Sequence, residues 1–78
     1  MTEYIETMKK ISGQMWTIFK SNLPVKNEDE YWDNLILVFG RAAREYNDTE
    51  FYRYALDMSR LYLDELQRLW RKEHKSED

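Results

Sequence analysis

The sequence predicts an all-α protein whose single domain, residues 1–78, folds as a three-helix bundle. Two observations lead to this prediction. Apolar side chains recur at alternating spacings of three and four in three separate segments, which is the period of an amphipathic helix. The chain also contains only two glycines and one proline, so few positions oppose helix formation.

The first predicted helix covers about residues 2–21. Its apolar residues form a stripe along one side, as in a helix that lies lengthwise against others. Pro24 ends this helix, because proline disfavours the α conformation at Leu23 and cannot continue a helix from upstream. The stripe consists of Tyr4, Met8, Ile11, Met15 and Ile18, with Ile5, Trp16 and Phe19 beside it.

The second predicted helix covers about residues 28–46 and has the clearest start signal in the chain. Asn27 is a good N-cap, and Glu30 stands where its side chain can reach back to complete a capping box. The acidic residues 28–30 also complement the positive end of the helix dipole. This segment is apolar over more than half of its circumference, so we expect it to be the central helix.

The third predicted helix covers about residues 49–72, after a turn at Asn47 and Asp48. Asp48 or Thr49 is expected to cap it, and residues 73–78 form a polar, frayed tail. Short connections favour antiparallel neighbours and therefore a three-helix bundle. The alternative is a helical hairpin that completes its core by homodimerisation.

Composition excludes several classes of protein. The absence of cysteine excludes a disulfide framework and a thiolate zinc site, and the single histidine removes most other transition-metal sites. A net charge of -3 gives no general attraction to nucleic acid or anionic lipid. No apolar run approaches the roughly 18 residues that span a bilayer, and the N-terminus does not resemble a secretory signal. We expect a cytoplasmic protein without cofactors and without a membrane partner.

Catalytic constellations are not recognisable in this chain. His74, the one candidate general base, lies in the polar tail, where nothing would exclude water or fix its geometry. Gly13 and Gly40 lie within helical patterns and not in a phosphate-binding loop. The sequence therefore predicts that the protein is not an enzyme.

Two alternatives to a purely protein-binding role stay open. Basic residues near the end of the third helix, beside Trp70, resemble a phosphate-contacting helix end with a stacking aromatic, although cations there also suit the helix dipole. The third hypothesis is a Mg²⁺-dependent nucleotide hydrolase, which would use acids that capping and ion pairing also explain. The nucleic-acid candidates are Arg68, Arg71, Lys72 and Lys75, and the metal candidates are Glu30, Asp33, Asp57 and Asp64.

An excess of aromatic residues favours a protein-interaction module. Three tryptophans, six tyrosines and three phenylalanines make up 15% of the chain, more than a narrow core can easily bury. Tryptophan, tyrosine and arginine dominate interaction hot spots, whereas the simpler interpretation is amphipathic packing at the core boundary. The candidates for contact with a protein partner are Trp16, Tyr31, Trp32, Tyr52, Arg53 and Tyr54.

Small residues in the second segment raise the option of a homodimer. Gly40, Ala42 and Ala43 would let another helix approach closely, either from within the bundle, which we favour, or from a second copy. A homodimer would use the same aromatic edges.

Several features follow one another in a characteristic order along the chain: Trp16 and Phe19, Pro24 to Asn27 leading into residues 28–32, residues 46–48 before Phe51, and residues 63–66. This layout resembles a group of small uncharacterised helical proteins encoded by phages and integrated mobile elements of Gram-positive bacteria. The resemblance covers nearly the whole chain, brings no active-site residues, and departs from the group at Gln67, where its usual Glu-Arg pair is expected. It implies a cytoplasmic accessory protein that docks on and modulates a host or defence protein, as anti-defence inhibitors do.

Overall fold

The computed structural model describes residues 1–73, which form three α-helices and no strand. Helix α1 spans Thr2–Ser21, α2 spans Asp29–Arg44 and α3 spans Tyr52–Glu73. All three pack against one another, so the predicted all-α three-helix bundle is confirmed. The core closes within one chain, and the hairpin that would need a second copy to complete its core is not what forms.

The direction of each helix follows from the side chains that meet. Contacts between α1 and α3 advance together along both helices, so these two are parallel. Contacts between α1 and α2 run in opposite orders, so these two are antiparallel. The first set is Tyr4–Phe51, Ser12–Tyr54 and Trp16–Tyr62, and the second set is Gln14–Tyr46 and Asn22–Tyr31.

The core is built from residues four positions apart, which lie one above another on a helix. Phe19 belongs to it, whereas Tyr4, expected in the inward stripe, is 45% exposed. The inward side of α1 is therefore rotated toward Phe19 relative to the predicted stripe. The buried apolar residues are Ile11, Met15 and Phe19 in α1, Leu35, Phe39 and Ala43 in α2, and Ala55 and Leu66 in α3.

The start of α2 corrects the predicted capping box. Glu28, with extended backbone at φ -134° and ψ 137°, is the N-cap, and no side chain caps the helix. Asn27 therefore lies one residue too early to act as the cap. The acidic first turn is present as expected, at Asp29 and Glu30, where carboxylates face the positive end of the helix dipole.

The connection between α2 and α3 is longer than expected, because helix stops at Arg44 and resumes at Tyr52. Asp48 has φ 65°, in the left-handed region that a right-handed helix cannot contain. The Thr49 hydroxyl donates to the carbonyl of Tyr46 at 2.6 Å and accepts from the backbone N–H of Phe51 at 3.1 Å. Thr49 thus satisfies a backbone donor, as a cap does, three residues before α3 begins.

The end of α3 also differs slightly from the prediction. The helix includes residue 73, which was expected to belong to the polar tail. His74 and Lys75, and the remainder of the predicted tail, lie outside the described residues.

Ser59 occupies the point where the three helices meet. It is 6% exposed, and its hydroxyl donates to the carbonyl of Ala55 at 2.9 Å within α3. The same oxygen lies 3.4 Å from Met15 Sδ in α1 and 3.5 Å from the Phe39 carbonyl oxygen in α2. The position therefore has room for a small side chain only.

Enlarging Ser59 should destabilise the bundle. We expect Ser59→Leu to lower the free energy of unfolding by about 1–3 kcal/mol, because extra methylene groups at a closed position force the helices apart. The matched control is Ser59→Ala, which loses one hydrogen bond but gains helix propensity, so its effect should stay within about 0.5 kcal/mol. Urea denaturation followed by circular dichroism measures both, and equal stabilities for the two variants would contradict the close packing.

Candidate functional site

Exposed apolar side chains are unevenly distributed over the bundle. Four of those found in the described chain belong to α1 or follow it directly, more than either other helix presents. Contiguous apolar surface marks interaction sites, whereas scattered single residues do not, so the contacts of each exposed residue decide its meaning. The exposed large apolar residues are Met1, Tyr4, Ile5, Trp16, Leu23, Ile36, Leu37 and Leu61.

A series of aromatic rings lies along the boundary between α1 and α3. The ring of Trp16, 49% exposed, stacks on Phe19 with centroids 5.7 Å apart and lies 6.4 Å from the ring of Tyr62. Phe19 and Tyr62 are themselves 5.0 Å apart. A separate ring pair, Tyr4 and Phe51, lies roughly 18 Å from Trp16 toward the start of α1. We term the whole series the aromatic stripe, consisting of Tyr4, Trp16, Phe19, Phe51, Tyr54 and Tyr62.

The aromatic stripe is held by a ring contact at one end and by a hydrogen bond near its middle. At one end Tyr4 packs against Phe51 with centroids 5.4 Å apart. Further along, the hydroxyls of Tyr54 and Ser12 hydrogen-bond to each other. The rings are thus positioned by contacts between α1 and α3. Trp16 packs on Phe19, which belongs to the buried core, and on Tyr62.

The charge of α1 is opposite in sign to that of the whole chain. Helix α1 contains three lysines and two glutamates, a net charge of +1, although the chain carries a net charge of -3; both glutamates precede residue 7, and residues 7–27 contain four lysines and no acidic residue. Within the described residues, ion pairs form only in α3, so these lysines have no carboxylate partner. Lys9 lies seven residues before Trp16 and Lys20 four residues after it, which places both on the same side of the helix.

Tyr31 and Trp32, predicted as interaction candidates, lie at the start of α2 and are half-buried. Their rings meet edge to face at 5.0 Å. The Tyr31 hydroxyl donates to the backbone carbonyl of Asn22 at 2.7 Å, and burial raises the pKa of this phenol. Tyr31 therefore joins the start of α2 to the end of α1.

The candidates at the start of α3 have different surroundings. Arg53 is exposed and pairs with Asp57, one turn further on, at 3.6 Å. Tyr52 is half-buried, and Tyr54 belongs to the aromatic stripe. The six predicted residues do not form one surface, because only Trp16 and Tyr54 lie in the aromatic stripe. Tyr62, which borders the exposed tryptophan, was not among the predicted interaction candidates.

A polar network joins α1 to α2 on the opposite flank of α1. The Tyr46 hydroxyl donates to Gln14 Oε1 at 2.6 Å, and Gln14 Nε2 donates to Glu45 Oε2 at 3.1 Å. Burial, and the nearby carboxylate of Glu45, raise the pKa of Tyr46. The protonated phenol is therefore the form that the folded chain favours.

The basic end of α3 is partly committed to other contacts. Arg68 Nε donates to Glu65 Oε1 at 2.7 Å, which lowers the pKa of that carboxyl. Arg71 and Lys72 are exposed in the last turn, and Arg71 lines a small pocket of about 190 Å³ next to Trp32 and Trp70. Lys75, the fourth nucleic-acid candidate, lies outside the described residues.

The acids considered for Mg²⁺ do not come together in the part of the chain that is described. Glu30 and Asp33 line a shallow pocket at the start of α2, whereas Asp57 pairs with Arg53 in α3. Among the described side chains, no group of three or more carboxylates, histidines or cysteines is placed to hold a metal ion. None of the described helices is both long enough and apolar enough to cross a membrane.

No protein-family model, curated protein or solved structure matches this chain at a significant level. The mobile-element origin that the resemblance implies therefore stays a prediction. The basis for a functional proposal is the geometry of the chain itself.

The raised tyrosine pKa values predict a loss of stability in alkaline solution. Because Tyr31 and Tyr46 hold their protons more tightly when folded, the unfolded chain loses those protons first as the pH rises. The stabilisation should be complete below about pH 10 and be lost as the pH rises through the folded-state pKa values.

Chemical denaturation from about pH 8 to about pH 11 measures this dependence. The double variant Tyr31→Phe/Tyr46→Phe should lose stability less steeply than the native chain above about pH 10. Tyr52→Phe is the matched control, since the Tyr52 hydroxyl makes no hydrogen bond within the described residues. Identical slopes for the native chain and the double variant would contradict the assignment.

Proposed function

We propose that this chain is a non-catalytic protein-binding module that docks, through the aromatic stripe, onto an acidic segment of another protein that also presents apolar side chains. The observation that supports this most is Trp16, half exposed and supported by the rings of Phe19 and Tyr62. Tryptophan and tyrosine are enriched among the residues that contribute most to protein binding.

The side chains beneath Trp16 are already packed, which favours a binding role for Trp16 over incidental exposure. Phe19 is buried in the core, and Tyr62 packs against it, so the surface beneath Trp16 does not have to be ordered when a partner arrives. A preorganised surface loses less conformational entropy on association than a flexible one. Trp16 is therefore suited to act as the anchor of the interface.

The charge beside the aromatic stripe indicates the chemistry of the partner. Lys9 and Lys20 share the side of α1 that carries Trp16, and neither has a carboxylate partner in the described chain. A partner with aspartate or glutamate around an apolar anchor would complement them. Such complementarity speeds association and fixes the register of the two surfaces.

The non-catalytic part of the proposal follows from the roles of the polar side chains. Asp57 and Glu65 pair with arginines, and the hydroxyls of Tyr31, Tyr46 and Tyr54 join helices together. These contacts give each of the five groups a structural role, which supports the non-catalytic part of the proposal.

The setting of this activity is also part of the proposal. We place the module in the cytoplasm, as an accessory protein of a mobile element that modulates a host or defence protein. This setting is supported by the sequence resemblance to proteins of mobile elements. That resemblance concerns the order of capping and core features and includes no functional residues.

Binding of a synthetic amphipathic peptide tests the role of Trp16. The probe carries leucine and phenylalanine on one helical face and glutamates on both flanks, and calorimetry measures its affinity. We expect Trp16→Ala to weaken binding by about tenfold or more, as truncation of a hot-spot anchor does. The matched control is Ile36→Ala, since Ile36 is 58% exposed on α2 and outside the aromatic stripe. No binding by the native chain, or equal losses in the two variants, would refute the proposal.

Charge reversal tests the chemistry of the partner separately. The double variant Lys9→Glu/Lys20→Glu should lose affinity for the glutamate-flanked peptide and gain affinity for the same peptide with lysines in those positions. Both lysines are exposed, so circular dichroism should show an unchanged fold. An unchanged preference between the two peptides would mean that the lysines do not contact the partner.

A further inference from the structure

A second surface lies on the other flank of α1, facing α2. Here α1 and α2 leave an open groove of about 680 Å³, because both pack more closely on α3 than on each other. Its walls are largely apolar and include Ile18, Val38 and Ala42. The aromatic stripe lies on the α3 side of α1, so the two surfaces are separate.

Gly13 lines this groove, and close packing within the described chain does not require a glycine there. A glycine inside a helix costs about 1 kcal/mol relative to alanine. No atom lies within 4 Å of the position that a Cβ on Gly13 would occupy, whereas a Cβ on Gly40 would contact the Arg44 guanidinium at 3.5 Å. The space beside Gly13 is thus open to the close approach of a helix from outside.

The charges at the edge of the groove indicate which kind of helix would complement it. Arg41 lines it in the last turn of α2, and Glu45, one turn further on, lines it directly after the helix ends. Arg41 has no ion pair within the described residues, and Glu45 accepts a single hydrogen bond, from Gln14. If α2 packs antiparallel to α2 of a second copy, Arg41 of each copy meets Glu45 of the other, since a twofold interface pairs residues reciprocally.

We propose that a second copy of this chain occupies the groove, with α1 and α2 of each copy antiparallel to the same helices of the other. The charge pattern favours a second copy over an unrelated helix, because Arg41 and Glu45 of one copy would form two ion pairs with Glu45 and Arg41 of the other. A chain of 78 residues has a small core, and covering Val38 and Ala42 would add buried apolar surface. Trp16 stays exposed in this dimer, so the proposal is independent of the proposed function.

Analytical ultracentrifugation of the full chain from about 1 µM to about 500 µM tests the dimer. We expect a reversible dimer that Arg41→Glu and Glu45→Arg each weaken about tenfold or more, because each change replaces two attractive contacts by two repulsive ones. The combined variant Arg41→Glu/Glu45→Arg should restore dimerisation, since the exchanged pair is again complementary to itself. Both positions are exposed, so these variants should fold normally.

Two further variants separate the groove from other modes of association. Val38→Glu places a charge in the groove and should give a monomer with unchanged helix content, whereas Trp16→Ala should leave the dimer intact. A monomer at every concentration would overturn the proposal. A dimer that Trp16→Ala abolishes, or that the charge exchange fails to restore, would overturn it as well. Peptide binding by the aromatic stripe is measured separately by calorimetry, so a monomer at every concentration leaves the proposed function standing.

Discussion

A narrow core limits what this bundle can bury, and most of its other features follow from that limit. Small residues occupy the closest approaches, including Ala43, Ala55 and Ser59, which is within 3.5 Å of atoms from both neighbouring helices. The aromatic rings cannot all enter such a core, so many lie along the boundaries between helices, where a ring contacts apolar neighbours and a polar end reaches outward.

The tyrosine hydroxyls show how these boundary positions stabilise the fold. Three of them connect α1 to another helix, through a backbone carbonyl at Asn22 and through the side chains of Gln14 and Ser12. Hydrogen bonds of this kind each contribute about 1 kcal/mol, and their geometry fixes the rotation of α1 relative to its neighbours. That rotation is what leaves Trp16 at the edge of the core.

Helix α1 has two unlike flanks as a result. Toward α3 it contributes to a surface of aromatic rings with lysines beside it. Toward α2 it borders an open groove, whose edge carries Arg41 and Glu45. The acidic residues of α3, by contrast, are partly neutralised by arginines one turn away. Exposed apolar side chains and lysines without an ion pair in the described chain thus lie near one another on α1.

The sequence was sufficient for the fold class and for the limits of α1, because an apolar period of three to four and a following proline are local signals. It was insufficient for the start of α2 and for the connection before α3, where the backbone of Glu28 and the left-handed Asp48 decide the outcome. Trp16 was predictable as an edge residue, but its partner Tyr62 was not. Which residues of two helices meet depends on their mutual rotation, and no spacing within one helix encodes it.

Under the proposed function, recognition and folding use different residues of the same helix. Met15 is fully buried, whereas its neighbour Trp16 is half exposed, because successive residues on a helix point about 100° apart. Substitutions at the outward positions can therefore accumulate while the inward ones stay fixed. A chain of this design can exchange one target for another during evolution without having to acquire a new fold.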